Sequence, residues 1–300
     1  VLLVKETVNT KLESVSAIPT KKILFTDKVT SIKLRDNKDI DDYYLLAGLM
    51  NSTLFAYYVL NTSSTAGIMI EQQINDEERF SFPFINSKKI IAIAKEVEEA
   101  KKQGSQHLMN DSQHQHLQSS KGEKLSKQVL KAFDLNPEEE ALVDYSENVM
   151  IPLTMKHADH EKLFESITFN ETILQEYAEL FINKFKSKLD NAKKKFVVEI
   201  WHTNQIVGMF FKMIPIAGYS SNIVWKNKQG NDTEVISLLT QISSEKITDK
   251  LFVQKDIRGF EKEDFYIFKP NEKRLWHKAI GYLDVNEFAD AILRKGSKAK

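Results

Sequence analysis

Lys195-Phe196-Val197-Val198-Glu199-Ile200-Trp201-His202-Thr203-Asn204-Gln205-Ile206-Val207-Gly208-Met209-Phe210-Phe211-Lys212-Met213-Ile214 is the stretch on which the fold class turns. Phe196, Val198 and Ile200 alternate with Val197, Glu199 and Trp201, the period-two pattern of a β-strand. The polar run His202-Thr203-Asn204-Gln205 breaks the pattern, and a second β-rich run follows over 206–214. The spacing predicts an antiparallel hairpin. Immediately upstream, Asn170–Leu189 carries Ile173, Leu174, Tyr177, Leu180, Phe181, Phe185 and Leu189 at helical spacing, with Asn170 placed to cap the start. A strong helix running into a hairpin predicts an α+β protein rather than an alternating α/β one.

Working outward, Lys124–Phe133 and Pro137–Tyr145 predict short helices, the second with Asn136 as N-cap and Pro137 at the first helical position. Asp232–Ser243 reads as a helix, Leu251–Gln254 and Asp264–Phe268 as strands, and Asp284–Leu293 as a terminal helix. Towards the N-terminus, Leu2–Val8 and Lys22–Leu34 are rich in Val, Ile and Thr and predict strands. Ile40–Leu60 has apolar residues near helical spacing and Asp41 and Asp42 in its first turn. Arg79–Phe84 reads as extended chain, and Ser87 opens a helix over 88–102. Gln103–Lys124 is rich in Gln, Ser, His and Gly and nearly free of apolar residues. The expected architecture is therefore mixed helices and short antiparallel strands in two units joined by a polar linker: 1–103, a linker or mobile loop at 104–124, and an α+β C-terminal domain at 125–300.

The composition sets outer limits. The chain has 300 residues, 42% hydrophobic and 28% charged, as in a soluble globular protein. No apolar run reaches the length of about 20 residues that spans a bilayer. No secretory signal opens the chain. It starts Val-Leu-Leu-Val without Met, which leads us to expect a piece of a longer, cytoplasmic protein with no membrane partner. The absence of cysteine excludes disulfides, thiolate zinc sites and cysteine nucleophiles. Lys plus Arg and Asp plus Glu both number 42, so strong non-specific binding of nucleic acid by the whole surface is not expected. Lys121–Lys131, Lys193-Lys194-Lys195 and Arg294–Lys300 are local basic runs, read first as solvated faces and a tail.

Motifs for chemistry are missing. The chain has no glycine-rich cofactor turn, no Asn/Asp-Pro-Pro-Tyr/Phe loop, no P-loop, no dinucleotide fingerprint and no Gly-x-Ser-x-Gly elbow. A metal-dependent nuclease would want Glu-x-Lys on a strand, and Glu199-Ile200-Trp201 lacks the Lys. His107, His114 and His116 lie in the polar stretch without cysteine support, and His157-Ala158-Asp159-His160-Glu161 is a second loose cluster; neither predicts a metal site. We therefore assign no catalytic, cofactor or metal residue to this segment.

The first hundred or so residues nevertheless carry an ordered set of pieces: Val4-Lys5-Glu6, then Lys22-Ile23-Leu24-Phe25-Thr26-Asp27, then Tyr44-Leu45-Leu46-Ala47-Gly48-Leu49-Met50-Asn51-Ser52-Thr53-Leu54-Phe55-Ala56-Tyr57-Tyr58. Ser64-Thr65-Ala66-Gly67, Phe80-Ser81-Phe82-Pro83-Phe84 and the helix from Ser87 complete it. This order resembles the target-recognition region that follows the catalytic domain in adenine-specific N6 DNA methyltransferases of bacterial restriction–modification systems. Asp264-Phe265-Tyr266-Ile267-Phe268-Lys269-Pro270-Asn271-Glu272-Lys273-Arg274-Leu275-Trp276-His277, followed by Tyr282-Leu283-Asp284, resembles C-terminal extensions of bacterial methylase-like defence proteins.

The resemblance implies a segment that recognises double-stranded DNA while a catalytic methyltransferase domain, upstream or in a partner chain, uses S-adenosylmethionine. The alternative is a protein–protein interaction module of a defence complex that touches no DNA. For DNA contact, Thr62, Ser63, Ser64, Thr65 and Gly67 offer small hydroxyls and free backbone N–H groups. Lys269, Lys273, Arg274, Trp276 and His277 combine charge with a stacking surface. The competing reading of the latter group is a domain corner anchored by Trp276.

Overall fold

The computed structural model describes residues 1–35, 39–63, 73–106, 112–218, 220–228, 256–261 and 264–298, with the single positions 233 and 237. The fold is α+β, and the chain divides into two units, Val1–His160 and Glu161–Lys300.

The first unit begins with a three-stranded antiparallel sheet of order β2-β1-β3, built from β1 (Leu2–Val8), β2 (Ser14–Ala17) and β3 (Val29–Ile32). Of the run read as a strand over 22–34, only Val29–Ile32 pairs, opposite Leu2–Lys5. Helices α1 (Ile40–Met50) and α2 (Thr53–Thr62) come from the apolar run at 40–60, broken where two polar residues cap both ends. Asn51 N–H donates to Ala47 O and closes α1, while Ser52 Oγ accepts from Phe55 N and opens α2. Asn51 Nδ2 also donates to Ser16 Oγ at 3.0 Å, tying this break to β2.

A short helix α3 (Asp76–Phe80) is opened by an Asn75/Glu78 capping box. It includes Arg79, where the sequence reads as extended chain. Helices α4 (Lys88–Gln106), α5 (Ser112–Ala132) and α6 (Pro137–Tyr145) follow, α6 with the expected Asn136 cap and a capping box to Glu139. A π-helical turn at Ser146–Met150 then leads into α7 (Ile151–Thr154), with Ile151 N–H reaching Ser146 O five residues back. Pro152 accounts for the irregularity, because it has no N–H to continue the ladder.

Two cores form in this unit. Leu2, Val4, Leu12, Phe55, Val59 and Ile151 close over the sheet, and Leu45, Leu49, Ile90, Ala94, Leu125, Val129 and Val143 join the helices. These cores decide the boundary. Leu125 and Val129 of α5, Val143 of α6 and Ile151 of α7 are buried with residues from the first sixty, so 125–160 belong to the first unit rather than to a C-terminal domain starting at 125. Residues 112–124, read as linker, are the first part of α5. His107 lies outside the described residues.

The second unit is a five-stranded sheet with helices on one face. Its order is β6-β4-β5-β8-β7: β4 (Lys194–His202), β5 (Ile206–Pro215), β6 (Ile223–Asn227), β7 (Ile257–Glu261) and β8 (Asp264–Pro270). The predicted hairpin is β4–β5, in register from Lys194↔Pro215 to His202↔Val207. β6 runs parallel to β4, and the other pairs are antiparallel. Helix α8 (Thr172–Leu189) and the terminal helix α9 (Lys278–Lys298) share a core with one sheet face, around Tyr177, Phe181, Phe196, Phe211, Phe265 and Trp276. Asn170 precedes α8 at φ 65° and does not cap it; the N-cap position is Glu171. The opposite sheet face carries Trp201, Phe210, Tyr266 and Phe268. The readings at 251–254 and over nearly all of 232–243 lie outside the described residues.

Candidate nucleic-acid interface

The basic, aromatic corner of the second unit folds inward. Asn271 is buried at the end of β8 and clamps residue 167 in both directions, its Oδ1 accepting from Ile167 N at 2.8 Å and its Nδ2 donating to Ile167 O at 3.2 Å. Trp276 is fully buried, donates Nε1–H to Pro270 O at 3.0 Å, and stands edge-on to Tyr177 with ring centroids 4.9 Å apart. Lys269 is drawn into the same space. Its side chain is 3% exposed, its Nζ lies 5.1 Å from the centre of the Tyr177 ring, and it pairs with the buried Asp284 carboxylate. It also donates to Tyr177 Oη at 3.2 Å and Leu275 O at 3.3 Å.

Burial pushes the Lys269 ammonium below its ordinary pKa against the pull of Asp284, and pushes the Tyr177 phenol well above its own. Lys269 and Trp276 are therefore interior residues, not surface contacts. A strand residue faces inward or outward by register, and here Asp284 on α9 supplies the countercharge that allows an inward lysine.

The other corner residues stay half-buried with protein partners. Lys273 Nζ pairs with Glu165 at 3.1 Å. Arg274 Nε pairs with Glu272 at 2.8 Å, and its guanidinium lies 4.6 Å from the centre of the Phe164 ring. His277 Nδ1 accepts from Ala279 N at 3.2 Å at the start of α9. Charge density in the sequence thus becomes local pairing, not an open cationic face.

In the first unit, Thr62 Oγ1 donates to Tyr58 O at 2.8 Å in the last turn of α2, and Ser63 is its C-cap. Ser64, Thr65 and Gly67 lie outside the described residues. His157 Nε2 is 2.7 Å from Thr10 O and His160 Nδ1 is 2.6 Å from His157 O, so the two rings serve different carbonyls. Among the described residues no group of three or more His, Asp and Glu side chains is placed to hold a metal. Glu199, the lone acid of the hairpin, is buried and pairs with Lys212 at 2.6 Å and Lys226 at 3.9 Å.

The structure exposes a different basic feature, one that the sequence pattern hides. Residues 20–28, between β2 and β3, are all exposed and belong to no strand. Ile18 buries itself in the sheet core just before them. On the far side, Val29 N–H to Thr26 O and Glu6 N–H to Lys28 O, both 3.1 Å, fasten the return. Between these anchors the chain presents Lys21, Lys22, Ile23, Leu24, Phe25 and Lys28. Leu24 is 102% exposed, and Ile23 and Phe25 about half. Lys33 and Arg35 continue the exposed cations beyond β3, and Lys5 joins them on β1. Among the described residues Lys21, Lys22, Lys28, Lys33 and Arg35 make no ion pair. Residues 1–35 hold seven Lys and Arg against three Asp and Glu, in a chain that is neutral as a whole. A scan of charge in short windows would have found this excess; a strand reading of 22–34 concealed it.

A polar cleft of about 360 Å³ opens on the same sheet, lined by Glu6 of β1, Thr30 of β3, and Gln73, Asn75, Asp76 and Arg79 at α3. Arg79 is 3% exposed and donates Nη2–H to Lys5 O at 3.2 Å, while its buried Nε meets no acceptor. Burial lowers its pKa, and Asp76 and Glu6 oppose the shift. The arrangement fastens α3 to β1 and leaves hydrogen-bonding groups at the surface of the sheet.

No protein-family model, no curated protein and no solved structure matches this chain. No helix among the described residues is long and apolar enough to cross a membrane.

Proposed function

We propose that this chain is the DNA-recognition and C-terminal segment of a site-specific adenine-N6 DNA methyltransferase or fused restriction–modification enzyme, and that its first unit meets the duplex. The observation that carries the reading is the exposed β2–β3 connection, whose three lysines outnumber its one acid, Asp27, and enter no ion pair among the described residues. On a neutral protein, such a local excess attracts a polyanion to one face instead of coating it everywhere. Exposed Thr20 and Thr26 add hydroxyls suited to phosphate oxygens. The order of pieces in the first hundred residues supplies the family context. Methyl transfer and S-adenosylmethionine belong to a catalytic domain outside this segment. The second unit, with its corner neutralised, serves as scaffold or as contact to that domain.

One observation favours the alternative, an interaction module that leaves DNA alone: Ile23, Leu24 and Phe25 are apolar and exposed. The two readings differ in their response to salt. Anisotropy of a short labelled duplex, titrated with the intact chain at several salt concentrations, is expected to give a linear fall of log affinity with log salt. Replacing Lys21, Lys22 and Lys28 by Ala is expected to flatten that slope by about 0.9 for each phosphate that the chain no longer neutralises. Absence of binding, or an unchanged slope in the triple variant, contradicts the proposal.

A further inference from the structure

We infer that Leu24 is a wedge: when the first unit engages a duplex, this side chain enters the base stack while Lys21, Lys22 and Lys28 hold phosphates on either side. The inference rests on the DNA reading above and adds how the loop uses its apolar tip. Three features of the loop lead to it.

The first is exposure. Leu24 touches nothing that shields it, and Ile23 and Phe25 flank it at half exposure. An apolar tip held in water gains whenever a dry environment is offered.

The second is the size of the patch. Its chain neighbours Thr20, Lys21, Lys22, Thr26, Asp27 and Lys28 are all polar or charged and all exposed, so along the loop the apolar stretch is three side chains long. The dry centre of a protein–protein interface sits within roughly 800 Å² on each partner, far more than this tip offers. A base step needs only one or two side chains to part it.

The third is charge and attachment. Cations lie on both sides of the tip, and both ends of the loop are fastened, through Ile18 in the core and through the hydrogen bonds of Lys28 and Thr26. A fastened tip can press into the stack where a free one would fold aside. Apolar wedges of this kind part base steps and kink the duplex, most easily at flexible pyrimidine–purine steps.

The test uses the intact chain and a panel of duplexes in which 2-aminopurine replaces adenine at successive positions, including TA and CA steps. Unstacking raises 2-aminopurine fluorescence. Binding of the parent chain is expected to raise it at one position, at a pyrimidine–purine step. Leu24→Ser is expected to abolish the rise and weaken binding about ten-fold. It should leave the slope of log affinity against log salt unchanged, because the lysines remain. Its melting temperature should match the parent, since Leu24 packs against nothing. Lys21→Ala/Lys22→Ala should do the reverse, flattening the slope while the rise persists at saturation. Duplex binding with fluorescence quenched at every position overturns the wedge and leaves the DNA reading standing. A chain that binds none of the duplexes overturns both.

Discussion

Replacing Asp284 by Leu should destabilise the second unit more than replacing its partner Lys269 by Met. Both side chains are nearly sealed, at 4% and 3% exposure. Removing one member of a buried pair leaves an uncompensated charge and costs about 3–5 kcal/mol. The network makes the two losses unequal. Asp284→Leu strands the Lys269 ammonium with only Tyr177 Oη and Leu275 O, at 3.2 and 3.3 Å, and places the full penalty on it. Lys269→Met leaves Asp284 with Arg258, 2.9 Å from its Oδ1, and with the Tyr177 hydroxyl; the expected cost is about 1–3 kcal/mol. The double variant removes both charges but orphans the Tyr177 hydroxyl, so it should cost less than the sum of the singles by at least about 1 kcal/mol. All three tryptophans, Trp201, Trp225 and Trp276, lie in the second unit, so tryptophan emission during urea unfolding reads this unit alone. Equal losses for the two single variants, or strictly additive ones, would show that Asp284 and Lys269 are not coupled in this way.

Trp276→Ala should cost about 3–5 kcal/mol in the same urea assay, because a fully buried indole that stands edge-on to Tyr177 and under the Lys269 ammonium is removed; a loss under about 1 kcal/mol would return Trp276 to the surface. Glu147 is exposed on the π-helical turn, and its pKa is raised, first by partial desolvation of the carboxylate and then by the charges of Asp144 and Glu13. A raised folded-state value means that its contribution is fully present below the ordinary glutamate range and is lost as pH rises through the folded value. Glu147→Gln should therefore melt higher than the parent at neutral pH, with the gain vanishing as pH falls below that range; a gain confined to acid would reverse the assignment.

How much of the fold is legible in the sequence depends on whether the signal is local. The β4–β5 hairpin and α6 are readable because their determinants lie within a few residues: a β-branched and aromatic run from Phe196 to Trp201 ended by the polar turn His202–Gln205 in one, Asn136-Pro137 with Glu139 in the other. The break between α1 and α2 is readable in part, since Asn51-Ser52 interrupts an apolar run with two residues that cap well. The unit boundary is not, because the polar composition that reads as a linker over 103–124 is equally compatible with the helix that begins at Ser112. Only the distant packing of Leu125 and Val129 decides between them.

The corner at 269–277 misleads for a related reason. Three cations and an indole in nine residues look like a surface until Asp284, Glu165 and Glu272 are placed beside them. The loop over 20–28 escapes notice because its β-branched and aromatic composition matches a strand. Nothing local says that only Val29–Ile32 finds a partner.

Backbone amide hydrogen exchange with and without a saturating duplex shows whether the first unit meets DNA through the β2–β3 connection. Slowed exchange over residues 18–35, with residues 269–277 unchanged, is the result predicted here. Protection confined to residues 269–277, or no change anywhere in the chain, would contradict it.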